Sequence, residues 1–160
     1  MIKVQHPEFE TCYGGDQGPM MKMGYTCSDC HMSKVKSEDG EEFTDHNWTS
    51  PLENAALLEA DCSKCHDDLA AEVKAFQDQE EERVTAISEK IAEFVEKFAA
   101  AKDSMSDEDV AKAQQLQREM QFYWDFVMVE NSEGAHNPAL TWATLYKAEE
   151  RVDEGLAMVA

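Results

Sequence analysis

Two runs of Cys-x-x-Cys-His carry the chemistry of this chain, Cys27-Ser28-Asp29-Cys30-His31 and Cys62-Ser63-Lys64-Cys65-His66. This spacing suits covalent attachment of a porphyrin. The two thiols span one edge of the macrocycle and bond its vinyl groups, and the adjacent imidazole reaches the iron. Two other uses of paired cysteines compete with that reading, a tetrahedral zinc and a redox dithiol. The pairs of a zinc ribbon lie closer together than the 31 residues between Cys30 and Cys62, and zinc gives no reason for a histidine directly after both pairs. A thioredoxin-like role expects a βαβ unit, and no such pattern is present. The motifs therefore predict two covalent haems held through Cys27, Cys30, Cys62 and Cys65, with His31 and His66 on the irons. Cys12 is left over, and is taken as a small buried apolar group rather than a reactive thiol or a lost aromatic position.

The elements that must position these residues differ between the two ends of the chain. Residues 1 to about 60 hold most of the glycines and three of the four prolines, with polar runs such as Ser37-Glu38-Asp39-Gly40-Glu41-Glu42, and predict loops and short helices rather than strands. From Asp67 onward Leu69, Val73, Phe76, Val84, Ile87, Ile91, Phe94 and Phe98 recur at three- and four-residue steps, the pattern of one long amphipathic helix. Ser106 with Asp109 three residues on caps a second helix, whose expected stripe is Val110, Leu116, Met120, Tyr123 and Val127. Asn137-Pro138 starts a third, with Leu140, Ala143, Tyr146, Val152 and Leu156 facing inward. The expected fold is all-α: a loop-rich haem-binding region over 1–66, then a helical region over 67–160 with helices at about 67–101, 106–132 and 137–158, in one domain.

Charge narrows the partners. Against 14 basic residues stand 34 acidic ones, and the net charge of -20 argues against nucleic acid and anionic lipid while suiting a cationic redox partner. No stretch approaches the roughly 20 apolar residues of a membrane span, and the first residues lack a basic and apolar signal segment. Covalent haem attachment normally takes place outside the cytoplasm, so the expectation is a mature chain or one lacking an upstream part.

Lys3-Val4-Gln5-His6-Pro7-Glu8-Phe9-Glu10-Thr11, then Cys27 through Met32, Thr44-Asp45-His46, Cys62 through His66 and Gly134-Ala135-His136-Asn137-Pro138 occur in that order. In this sequence of segments the chain resembles the pentahaem cytochrome c nitrite reductases, which reduce nitrite to ammonia, and corresponds to their carboxy-terminal portion. The resemblance implies that His6 is the distal histidine of the catalytic haem, where it hydrogen-bonds nitrite and helps deliver protons. It implies calcium ligation by Gln5, through its side chain, and Lys3, through its backbone carbonyl, oxygen donors of the kind a hard cation prefers. His136 then resembles the distal ligand of the first haem, and His46 a distal ligand to a haem attached elsewhere in the family's amino-terminal part. A periplasmic location, a redox partner or quinol-oxidising cytochrome, nitrite as substrate of the complete enzyme, and a homodimer through the long helices are implied too. The stripe from Ile87 to Phe98 is the candidate dimer surface.

The departures from the family are equally specific. Its catalytic haem is usually attached by Cys-x-x-Cys-Lys, which this chain does not contain. Where the family places a histidine for the last haem, this chain has Gln17, followed by Met20, Met21 and Met23, so a thioether substitutes, the second haem is five-coordinate, or His46 is recruited. Cys12 stands where the family commonly has tryptophan. Two functions of different class follow: the carboxy-terminal part of an ammonia-forming nitrite reductase, or a free-standing dihaem electron carrier without catalysis. A zinc-stapled helical protein is the remaining alternative.

Overall fold

The computed structural model describes residues 18–160. Lys3, Gln5, His6, Cys12 and Gln17 lie outside the described residues. The chain divides into two compact units, one over Gly18–Ala75 and one that takes in Phe76–Ala160.

The first unit is built from short pieces, each set by a local hydrogen bond. Helix α1, Pro19–Lys22, has proline at its start and gives way to Gly24 at φ +89°, the left-handed region that glycine enters without steric cost. Helix α2, Cys27–His31, is the first haem motif itself. Its N-cap is Thr26, whose backbone N–H and Oγ1 both donate to Asp29 Oδ2, at 2.7 and 2.6 Å. The two variable positions of this motif thus include the residue that locks its helical turn.

Strands β1, Lys34–Lys36, and β2, Glu42–Thr44, form an antiparallel hairpin with Val35 opposite Phe43. This corrects the expectation of a strand-free region. Gly40, at φ +82°, and the Ser37 hydroxyl, which accepts from Glu41 N–H at 3.1 Å, close the polar run into a turn. A 3₁₀ turn, Pro51–Glu53, leads to helix α3, Ala55–Ala60, capped by Asn54 Oδ1 accepting from Leu57 N–H at 3.0 Å. A second 3₁₀ turn, Cys62–Lys64, opens the second haem motif.

Three long helices follow: α4, Leu69–Ala101; α5, Asp107–Met128; and α6, Pro138–Met158. Ser106 caps α5, accepting from Asp109 N–H at 3.1 Å, and Asn137 Oδ1 caps α6, accepting from Leu140 N–H at 3.2 Å. Helix α5 stops at Met128, short of residue 132, because the chain there turns to place Glu130 inward. The core combines Val84, Ile87, Ile91, Phe94 and Phe98 of α4 with Leu116, Met120 and Val127 of α5 and Leu145 and Val152 of α6. The stripe from Ile87 to Phe98 is therefore used within the chain, which corrects its assignment as a dimer surface.

Helix α6 turns a different face inward from the one its most apolar residues suggest. Tyr146 is 60% exposed and Ala143 is exposed, whereas Thr141, Thr144, Leu145, Ala148, Val152 and Gly155 are buried. The reason is close packing of α5 on α6, where Ala113, Ala148 and Gly155 keep side-chain bulk low. The two threonines can be buried because each hydroxyl donates back to its own helix, Thr141 Oγ1 to Asn137 O at 3.1 Å and Thr144 Oγ1 to Leu140 O at 2.8 Å. Their methyl groups then pack as apolar surface. Across the helices Trp124 Nε1 donates to Val84 O at 2.9 Å, and Lys90 bonds Asp153 at 2.9 Å. Arg83 pairs with Glu149 and lies over the Tyr146 ring, 4.3 Å from its centroid.

Gly155 gives a sharp test of this packing. A Cβ there would sit 2.9 Å from two ring carbons of Phe94 and 3.1 Å from the Met120 methyl. Alanine is the better helix former by about 1 kcal/mol, yet Gly155→Ala is expected to destabilise the helical unit by about 1–3 kcal/mol through overpacking. Urea denaturation of the two forms, followed by circular dichroism, measures the sign directly.

Candidate haem-binding site

The first haem motif lies on one helical turn, so Cys27 and Cys30, three residues apart, share a face and His31 follows at its end. Burial, then the neighbouring Cys62, pushes the Cys30 thiol up from its ordinary value, and burial, then Asp61, does the same for Cys62. The two motifs are thus close enough to feel each other's charge, and Cys30 and Cys62 are held away from the thiolate form that a redox dithiol needs. Among the described residues no group of three or more His, Cys, Asp or Glu is placed to hold a metal ion. The four cysteines are not joined in disulfides.

The histidines carry a more specific signal. His31 Nδ1 donates to the Thr49 carbonyl at 2.8 Å, and its ring stacks on Trp48 with centroids 5.4 Å apart and planes 13° from parallel. His66 Nδ1 lies 2.7 Å from Glu72 Oε2. His136 Nδ1 lies 3.4 Å from Glu130 Oε1. A carbonyl or ionised carboxylate only accepts, so each contact puts the proton on Nδ1 and makes Nε2 the lone-pair nitrogen of the neutral ring. That tautomer, with its outer nitrogen tied to an acceptor, is the form in which histidine ligates a metal. Trp48 holds its place at φ +55°, a region a bulky side chain enters at a cost, so its stacking on His31 is built in by the surrounding turn.

Glu130 does more than face His136. Its buried Oε2 accepts from Ser132 N–H at 3.1 Å, Ser132 Oγ at 2.6 Å and Gly134 N–H at 2.8 Å, and so ties the loop that presents the histidine. Gly134, at φ +79°, is required there twice over: a Cβ would lie 2.7 Å from Thr141 and 2.8 Å from Phe76.

In the first unit, a cleft of about 310 Å³ is lined by Leu58, Cys62, His66 and Leu69, among others. It sets Cys62 and His66 of the second motif beside the apolar side chains of Leu58 and Leu69, a surface that suits one edge of a flat apolar group. His46 is exposed in the loop after β2. Met20 and Met21 lie on α1 and Met23 follows it, exposed. Thr49, Glu72 and Glu130 were not legible as site residues. Glu72 and Glu130 each lie six positions from the histidine they serve, and no local periodicity pairs residues at that distance.

Paired Cys-x-x-Cys-His turns, imidazoles whose Nδ1 is engaged by the protein and a mainly helical fold point to a c-type cytochrome. The chain belongs to the cytochrome c552 family, whose pattern matches residues 1–160. It is 34% identical to the cytochrome c nitrite reductase subunit NrfA of Nitratidesulfovibrio vulgaris, over 94% of this chain and 30% of that protein. To cytochrome c-552 of Haemophilus ducreyi it is 32% identical, over 98% of this chain and 31% of the relative. The structure superposes on cytochrome c nitrite reductase from Desulfovibrio desulfuricans, known for the two calcium sites of its catalytic subunit, with a TM-score of 0.79. Identity there is 30%, and the match covers 99% of this chain and 34% of that one. The outer cell wall cytochrome OcwA shares the fold at a TM-score of 0.62 and 23% identity. The chain thus spans about a third of the length of the relatives it matches. Haem c is the prosthetic group this family membership brings, and no described helix is long and apolar enough to cross a membrane.

Glu80 of α4 is buried, and desolvation followed by the charges of Glu133, Glu130 and Glu81 raises its pKa from 4.5 to about 7. The folded chain therefore keeps a proton here that the unfolded chain releases above its ordinary carboxylate value. This contribution to stability is fully present below pH 4.5 and is lost as pH rises to about 7. Glu80→Gln is expected to flatten the fall in stability across that window and to stabilise the chain at pH 8. Denaturant midpoints measured at pH 5, 6, 7 and 8 for both forms check the sign.

Proposed function

We propose that this chain is the carboxy-terminal part of an ammonia-forming cytochrome c nitrite reductase, and that within it the chain carries two electron-transfer haems and a distal active-site histidine. The single observation that carries this reading is the pairing of two Cys-x-x-Cys-His motifs with histidines whose Nδ1 is already engaged by the protein. Haem c supplies one-electron redox chemistry at its iron when bound. Cys27 and Cys30 would hold one haem and Cys62 and Cys65 the other, by thioether bonds. His31 and His66 would be the proximal ligands, and, by the family resemblance, His136 the distal ligand of the first haem.

The remaining assignments rest on the family resemblance. His6 would donate a hydrogen bond to nitrite and relay protons, Gln5 and Lys3 would ligate calcium, and His46 would serve a haem attached outside this chain. The domain division is a haem-binding region over 1–66 followed by the helical region over 67–160. A periplasmic location, a homodimer, and electron supply from a redox partner or quinol-oxidising cytochrome complete the proposal. The second reading is a stand-alone dihaem electron carrier without catalysis.

Expression in a host that attaches c-type haem tests the proposal. Intact mass and the reduced pyridine-haemochrome spectrum are expected to show two covalent haems per chain. Bound zinc or free thiols in their place would overturn both readings. The purified chain alone is expected to reduce nitrite to ammonia no faster than free haem, and substantial ammonia formation with a reduced dye would refute the assignment of catalysis to a haem held elsewhere.

A further inference from the structure

The two motif histidines differ in what holds them. His31 Nδ1 donates to a neutral acceptor, the Thr49 carbonyl, whereas His66 Nδ1 donates to a carboxylate, Glu72 Oε2, over the shorter distance of 2.7 Å. The backbone of Glu72 is anchored at a helix start. It stands in the first turn of α4, its N–H donating to Asp68 O at 3.0 Å, while Asp68 Oδ1 caps the same turn by accepting from Ala71 N–H at 3.0 Å. The positive end of the helix favours a negative charge at that place.

A carboxylate draws the Nδ1 proton more strongly than a peptide carbonyl does, and so leaves more electron density on Nε2. An imidazole made more basic in this way stabilises ferric iron over ferrous. We propose that Glu72 is the positioning residue of the second haem: it orients His66 and lowers the potential of the haem that Cys62 and Cys65 hold. The proposal rests on the haem reading of the second motif.

The test uses the full chain carrying both haems, checked by intact mass, in an optical redox titration with electron paramagnetic resonance of the oxidised form. Glu72→Gln keeps the side-chain shape and removes the charge. Asp67→Asn removes an equal charge beside His66 from an exposed side chain. In Glu72→Gln one of the two redox components is expected to move to higher potential, with a changed resonance for one haem only, and Asp67→Asn is expected to shift it much less. Equal shifts in the two variants would reduce Glu72 to one surface charge among many and overturn the positioning role. An unmoved potential in Glu72→Gln would overturn it as well. Wild-type chain that takes up no covalent haem would instead overturn the haem reading, and intact mass detects that outcome before any titration begins.

Discussion

Apolar burial in the described residues is confined to one stretch of the chain. Every buried hydrophobic side chain lies between Val84 and Val159, and the Gly18–Ala75 unit contributes none. The helical unit is held by ordinary interior packing of Phe94, Ile87, Met120 and Leu145. The cysteine-bearing unit is held by hydrogen bonds at caps and turns, through Thr26, Ser37, Asn54 and Asp68. A segment of that size with no apolar interior is poorly stabilised by itself, because cap bonds contribute only about 1 kcal/mol each. Two flat apolar macrocycles bonded to its cysteines would supply the missing interior, which makes the proposed cofactor a structural component as well as an electron carrier.

The imidazoles repeat one device in three settings. An imidazole that must offer Nε2 to iron needs its Nδ1 proton held elsewhere, or it rotates and tautomerises. His31 obtains this from a backbone carbonyl and a stacked tryptophan, His66 from an exposed carboxylate on a helix start, and His136 from a buried carboxylate that also ties its loop. The acceptors range from neutral to charged and from open to enclosed. Three chemically equal side chains thereby become electronically unequal.

The surplus of carboxylates has a structural counterpart. With only 14 basic residues, the chain places Arg83 and Lys90 of α4 against Glu149 and Asp153 of α6, and Lys112 of α5 against Glu154. Scarce cations thus sit where acidic helix faces meet, while Glu80 is driven toward its protonated form by burial and then by like charge. The exposed pairs contribute little one by one. Their arrangement mainly relieves repulsion between helices that would otherwise face each other with the same sign.

Much of this was legible in the residues themselves. Covalent haem chemistry follows from Cys-x-x-Cys-His because the spacing is local and matches the geometry of the group. The three helices, the Ser106 and Asn137 caps and the buried stripe of α4 follow from periodicities and cap bonds spanning at most a few residues. What escaped was decided by packing or by distant partners. The β1–β2 hairpin was hidden in a polar run, because its strands are three residues long and bury almost nothing. The inward face of α6 was set by how closely α5 approaches, which favours small residues and self-bonded threonines over the bulkier Tyr146. Thr49, Glu72 and Glu130 became partners of histidines only once turns had brought them there. The sequence by itself determined which atoms can bond a haem and which segments are helical, since both depend on neighbours along the chain. Only the tertiary structure decided which acceptor each imidazole meets, since that depends on distances no local pattern encodes.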